Sequence, residues 1–494
     1  MTVKTVFRFF TSVLLAGCAL LPFVAVHSPA ASAQDSGWSS PAMISDPGNL
    51  AWQPEILAGS DGIVRALWLE GIDNNNRPES AAIYFSELVG ENWTRPIDVI
   101  ATKSGRNIAY FSSALDSQGN VFILWCGDGE FHISRNHVLT AGNAQYWQEL
   151  MTLGYRCISR PKVLVDGNDR VHVAYVLEVN DVSEVLYMHS TDGGQTWSEP
   201  VALPEYEKDG LDPAELDMVV DDKGTLHIVV ELADLSEGGW PGQGIYYAKS
   251  SDEGRSWSPP LLIDDIDSGE YRDGYGPFVP TLATAFSDEV HIVWYGSPRG
   301  ERHHVYSLDA GDTWSANQQI STFRGMTWHN LMVTDSIGNV HLASGTIDDV
   351  IMYMVWQRDQ WSEPTLISPQ QLGPHYPSLG ISSGNVLHLL FSGAKGTANG
   401  RIFHVSRGIG AAAILPTDYK TYQRAQFPEV RQYESIARPT HGSVNLKSRL
   451  PKVDIEKRDS IPPLPALLIS VFMATVVVLA IVLTVVRRRT PWQL

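Results

Sequence analysis

One phrase, S-x-D-x-G-x-x-W, stands three times in this chain, at residues 190–197, 250–257 and 307–314. Each copy separates two strand-like apolar runs, so each must turn the backbone within a few residues. The residue types suit that task. Asp192, Asp252 and Asp309 can accept backbone N–H bonds, Gly194, Gly254 and Gly311 can take a positive φ, and Trp197, Trp257 and Trp314 can pin the loop with a large ring. Ser190, Ser250 and Ser307 open the three copies. The phrase reads as a hairpin clasp in an all-β chain.

A second pattern recurs more often: an apolar strand, a turn with Asp, Ser, Asn or Gly, then a strand rich in β-branched residues and His. Its turns fall near Asp61, Asp116, Asp166, Asp221, Asp288, Asp335 and Ser383, spaced by 47 to 67 residues. Two further strands follow in each unit, the fourth often ending in W-S-x-P as at Trp197, Trp257 and Trp361. Repeated four-stranded units of this length predict a β-propeller with seven blades, with six as the alternative. The last unit lacks its fourth strand, while Trp38-Ser39-Ser40-Pro41 stands near the start of the chain. That segment is expected to complete the last blade and remove the exposed sheet edge.

The clasp is the Asp-box, or BNR repeat, and on it the chain resembles the sialidase-like β-propeller superfamily. The resemblance implies that the boxes are structural and lie away from the active face. It also implies a search for three arginines, a tyrosine paired with a glutamate, and an aspartate. The family's early [F/Y]-R-I-P phrase is absent, and Ser159-Arg160-Pro161 in the third unit is the nearest fragment. No catalytic residue is carried over.

The flanks suggest export and a membrane anchor. Residues 1–33 carry Lys4 and Arg8, an apolar run and an Ala31-Ser32-Ala33 cleavage site, the pattern of a signal peptide. Cys18 lies in a lipoprotein-like box, but the chain stays apolar beyond it. Residues 34–410 form the propeller, 411–462 read as an extended stalk, and 463–486 as a transmembrane helix. Arg487, Arg488 and Arg489 open the tail at 487–494, which the positive-inside rule keeps in the cytoplasm. The expected placement is a single-pass cell-membrane protein with its N-terminal domain outside.

Net charge narrows the ligand. The whole chain is at −19, and signal, stalk and tail are positive by two, three and three, which leaves residues 34–410 at −27. So acidic a domain excludes nucleic acid as a partner held by a general field, and an anionic ligand would need local arginines. Cys126 and Cys157 are expected either to form a disulfide or to stay as separate buried thiols.

Connections in a four-stranded blade alternate ends, so the clasps share one face with the first turns and leave the other face to the channel mouth. Propellers bind ligands at that mouth. The arginines expected there are Arg106, Arg156, Arg160, Arg272 and Arg324, accompanied by Tyr110, Tyr155, Tyr271, Tyr275, Trp328 and Tyr376. Glu70, Glu178 and Glu231 end three second strands and Asp128 follows a fourth, so carboxylates are also expected around the mouth, as acids and bases, sugar ligands or solvated loop starts.

Other signatures are missing. There is no phosphate loop, H-E-x-x-H, paired C-x-x-C or G-x-S-x-G. His303-His304 reads as a strand-start pair before a metal site, and His172, His227, His291, His341 and His388 as packing between blades. No cofactor is called for, although an acidic mouth leaves a cation open. The expected function is recognition of carbohydrate or another extracellular ligand, with a sialidase or other glycoside hydrolase and a protein-docking platform as alternatives.

Overall fold

The computed structural model describes residues 37–416, except 75–76, 156, 158, 180–181, 207–209, 236–241, 269–275, 287, 297–300, 322–329, 347–349, 368–371 and 394–399. The signal, most of the stalk, the expected transmembrane helix and the tail lie outside the described residues. Among the described residues no helix is long and apolar enough to cross a membrane.

Seven antiparallel sheets follow one another along the chain. Each expected turn near Asp61, Asp116, Asp166, Asp221, Asp288, Asp335 and Ser383 joins the innermost strand of a blade to its second strand. The propeller is therefore seven-bladed. In four blades the turn is folded by its own aspartate. Asp116 Oδ1, for example, accepts the amides of Gln118 at 3.0 Å and Asn120 at 2.7 Å, as Asp166, Asp221 and Asp335 do in their turns.

The ring closes as the sequence suggests. Ala42–Met43 pairs antiparallel with Arg401–Gly408, placing Ala42 opposite His404 and Met43 opposite Phe403. Ser39 N donates to Ser406 O at 2.8 Å, and Ser406 N donates back to Ser39 Oγ at 2.9 Å. Trp38 packs edge-on against Tyr353 in the neighbouring blade.

The clasps work through one repeated set of bonds. Ser190 Oγ donates to Asp192 Oδ1 at 2.8 Å and accepts the Gly194 amide at 2.8 Å, while Asp192 accepts the amide and hydroxyl of Thr196 at 2.8 and 2.6 Å. The second and third copies repeat this with Ser256 and Thr313. These bonds draw the carboxyls of Asp192, Asp252 and Asp309 down to about 2. Two of the clasps also join blades: Trp257 packs on Tyr187, and Trp314 on Tyr247, a tyrosine of the preceding blade in each case.

Those tyrosines belong to a relay that explains the recurring histidines. The Nδ1 atoms of His172, His227 and His341 lie 2.7 Å from the hydroxyls of Tyr187, Tyr247 and Tyr353, with Asp166, Asp221 and Asp335 on the far side of the rings. Burial depresses His172 to about 4, so it is neutral in the fold. An unfolded histidine protonates near 6.5, so the stability contribution of His172 is present above that pH and lost between 6.5 and about 4. The stability gap between wild type and His172→Asn should therefore narrow by about 2–3 kcal/mol as pH falls from 7 to 4.5, a change that urea unfolding at the two pH values reads directly.

Candidate functional site

The seven innermost strands wall the central channel, and five of them carry a proline within or just before their mouth-side half: Pro54, Pro161, Pro213, Pro280 and Pro377. An innermost strand has a free edge toward the channel, where a residue without an N–H is tolerated. In four of these blades the strand is irregular at its mouth end, with register shifts beside Glu55, Glu215, Thr281 and Ser378. Gln53, Val279 and Tyr376, each just before a proline, sit at φ of 50, 48 and 49°. Such bulges re-aim side chains near sites, and strained backbone persists where the surroundings hold it.

One side chain so aimed is Tyr376. The guanidinium of Arg160 lies 6.0 Å from its ring centre and 5.9 Å from that of Tyr110, so blades two, three and seven converge on one cation. Burial raises the hydroxyl pKa of both tyrosines and keeps them neutral. Glu215 in blade four shares this layer, and Arg160 partly offsets the burial that raises its carboxyl.

One side-chain layer below is a polar waist. Lys162 Nζ lies 2.7 Å from Asp217 Oδ1, and Asp217 Oδ2 accepts from Thr281 Oγ1 at 3.0 Å and the Leu282 amide at 2.9 Å. Ser113 Oγ donates to Glu55 Oε2 at 2.5 Å. Glu55 is pushed up to about 7 by burial, against the pull of Ser113 and Lys162. Glu55 and Glu215 are half-buried, and the protein around them solvates their charge poorly. A cavity of about 470 Å³ extends from Ser113 and Lys162 of this waist along walls that include Leu115, Val165, Val220 and Met332.

The expected mouth residues divide. Arg160, Tyr110 and Tyr376 come together as described. Arg106 is exposed, near an exposed Asp128 that bonds the hydroxyl and amide of Ser104 and is thereby lowered. Glu178 is half-buried. Glu70 and Glu231 do not ring the mouth as solvated groups. Glu70 is buried and accepts from Trp68 Nε1 at 2.6 Å and Asn49 Nδ2 at 2.9 Å; Glu231 is buried and accepts the Val279 amide at 2.7 Å. Burial raises both. Arg156, Arg272, Arg324, Tyr271, Tyr275 and Trp328, with the Tyr155 side chain, lie outside the described residues.

Cys126 and Cys157 are joined in a disulfide, with Cα atoms 6.2 Å apart. Cys157 lies in the connection from blade two to blade three, where its amide reaches Gly129 O and its backbone bridges Leu177. Three residues further on stands Arg160, so the crosslink anchors the segment that delivers the guanidinium. His303 and His304 are buried, the first 2.9 Å from Asn317 Oδ1 and the second 3.0 Å from His291 Nδ1; among the described residues no group of three or more metal-ligating side chains forms.

Sequence reasoning missed Glu55, Lys162, Glu215 and Asp217. The signal that could have found them is the x-Pro step repeated in the innermost strands. It missed Arg302 as well, a buried guanidinium 4.1 Å from the Tyr295 ring that donates to Ser344 Oγ at 2.7 Å and to Gly345 O.

Three solved structures compare with this architecture. An ulvan lyase of a polysaccharide lyase family is 12% identical over 77% of this chain and 99% of its own, with a TM-score of 0.50. A Dyadobacter fermentans protein described as of unknown function is 13% identical over 76% of this chain and 100% of its own, at 0.46. A Trypanosoma rangeli sialidase is 15% identical over 72% of this chain and 55% of its own, at 0.42. No protein-family model matches the sequence, and no curated protein matches it. At these identities the likeness is one of fold alone, a β-propeller.

Proposed function

We propose that this propeller recognises carbohydrate at its channel mouth, on an exported protein tethered to the cell membrane by residues 463–486. The observation that carries the reading is Arg160 set between Tyr110 and Tyr376, above a waist of Glu55, Lys162 and Asp217. Flat rings match sugar faces, and a fork of N–H donors with carboxylates nearby matches hydroxyl or acid substituents. The path of the chain agrees with a tether. Ile409 N donates to Asn385 O, Ser336 Oγ to Ala412 O and Ile414 N to Ser383 O, so the chain leaves the ring on the turn face, opposite the mouth.

The test is a glycan array probed with the full-length chain in detergent micelles, followed by calorimetry on the best sugar. Arg160→Ala should weaken binding about 10- to 150-fold, the value of one charge-assisted contact, while Arg106→Ala leaves it near wild type. A blank array, or equal binding by the Arg160→Ala protein, would count against the reading.

A further inference from the structure

We infer that the turn face carries a lipid-docking ridge, on which the ring rests against the surface of the membrane that anchors the chain. The inference rests on the tether at residues 463–486 and adds a second, peripheral contact to it.

Five of the fourteen exposed large apolar side chains among the described residues lie at one place. They are Leu308, Phe286, Ile337, Ile414 and Leu415, at 50 to 87% exposure. The first two belong to blade five, the third to blade six, and the last two to the chain leaving blade seven. Backbone contacts make them neighbours. Ala310 N donates to Asp288 O at 2.8 Å and so binds the clasp of Leu308 to the turn of Phe286. The Phe286 ring lies over Gly338, the residue after Ile337. Ser336 N donates to Gly384 O at 3.1 Å, and Ile414 covers that same glycine while its amide reaches Ser383 O at 2.7 Å. A run of apolar groups across three neighbouring blades is more than the single exposed side chains that any surface carries.

Charge does not oppose the contact, although the domain as a whole is strongly acidic. Asp288 is paired with Lys223 at 2.5 Å and Asp312 with Lys249 at 2.6 Å. Asp309 is closed into its clasp, and Asp335 is buried in its turn. The acids beside the ridge are thus paired or hydrogen-bonded, and a zwitterionic lipid surface meets no free field there.

The path of the chain points to lipid as the occupant. Ile414 and Leu415 are part of the ridge, Pro416 rests near Gly62, and residues 417–462 then lead to the apolar segment at 463–486. A flexible chain of that length spans about 40 Å on average, which holds the ridge and a lipid surface at an effective concentration on the order of millimolar. Leu, Ile and Phe are side chains that enter the boundary between headgroups and acyl chains, and a contact too weak to bind alone suffices once tethered.

The test uses the full-length chain in dioleoylphosphatidylcholine vesicles. One sample carries a nitrobenzoxadiazole fluorophore on I337C, another carries it on I72C, an exposed position at the mouth end of blade one. Cys126 and Cys157 are joined and Cys18 belongs to the expected signal, so the introduced thiol takes the label. Exchange for brominated lipid should dim the Ile337 label at least about twofold and leave the Ile72 label unchanged, because an interfacial apolar face sits about 5–10 Å into the headgroup boundary. Adding Leu308→Ser and Leu415→Ser, both largely exposed so that the ring keeps its packing, should return the Ile337 label to the level of the Ile72 label. An Ile337 label untouched by brominated lipid, in chains that float with the vesicles in high salt, would overturn the inference and leave the tether standing. So would emission from that label that shifts with protein density and not with lipid, since a second copy would then cover the ridge. Chains that do not float would remove the tether and this inference with it.

Discussion

Gly254→Ala should destabilise the propeller by about 3–5 kcal/mol, with unfolding by urea as the measurement. Gly254 sits at φ 82°, where an alanine is disfavoured by roughly 1–2 kcal/mol. The larger part comes from space. A Cβ there would fall well inside contact distance of the Tyr187 ring, and that ring cannot step aside. It is fully buried, its hydroxyl lies 2.7 Å from His172 Nδ1 and donates to Glu253 O at 3.2 Å, and Trp257 packs across its edge. Overpacking of this kind costs about 1–3 kcal/mol or more. Two comparisons separate the causes. Gly90→Ala, at φ 63° with nothing within 4 Å, should cost only the backbone part, about 1 kcal/mol. In a Tyr187→Ala background, Gly254→Ala should likewise fall to about that value. Equal losses at Gly90 and Gly254 would show that the tyrosine contact between blades contributes nothing.

Removal of the disulfide, as Cys126→Ser with Cys157→Ser, should lower stability by about 3–4 kcal/mol, the chain-entropy value for a crosslink spanning 31 residues. The effect should extend to the ligand. Cys157 holds the connection that ends in Arg160, so under the proposed function the variant should bind sugar more weakly at temperatures where the ring is still folded. Calorimetry before and after mild reduction, with circular dichroism to confirm the fold, checks both halves. An unfolding midpoint unmoved by reduction would mean that the segment is held by its backbone contacts to Gly129 and Leu177 alone.

The ring itself was legible because its signals are local. An aspartate before a tight turn does the same work in four blades, and a glycine four residues after the clasp serine in three, and repetition exposes both. The latch at Ala42–Met43 was legible for a related reason, since a unit short of a strand and a spare W-S-x-P phrase can be matched without coordinates. The mouth was much less legible. Glu70 and Glu231 end equivalent strands, yet both turn inward, one to an indole N–H and the other to an amide of the next blade, and no alternation of polar and apolar residues announces that. The bulges at Gln53, Val279 and Tyr376 shift the register by a residue, which changes the face a side chain occupies, so Glu55 and Thr281 read from sequence as ordinary strand positions.

The latch between Ser39 and Ser406 has a consequence for biogenesis. If the chain is exported start first, its opening strand emerges before any blade exists and stays single while nearly the whole domain is threaded behind it. Six sheets can form in order as they appear, but the seventh must wait for a partner made long before. The interval leaves two complementary edges exposed at once, on one molecule and on its neighbours, and exchange of opening strands between neighbouring chains is the misassembly this architecture invites.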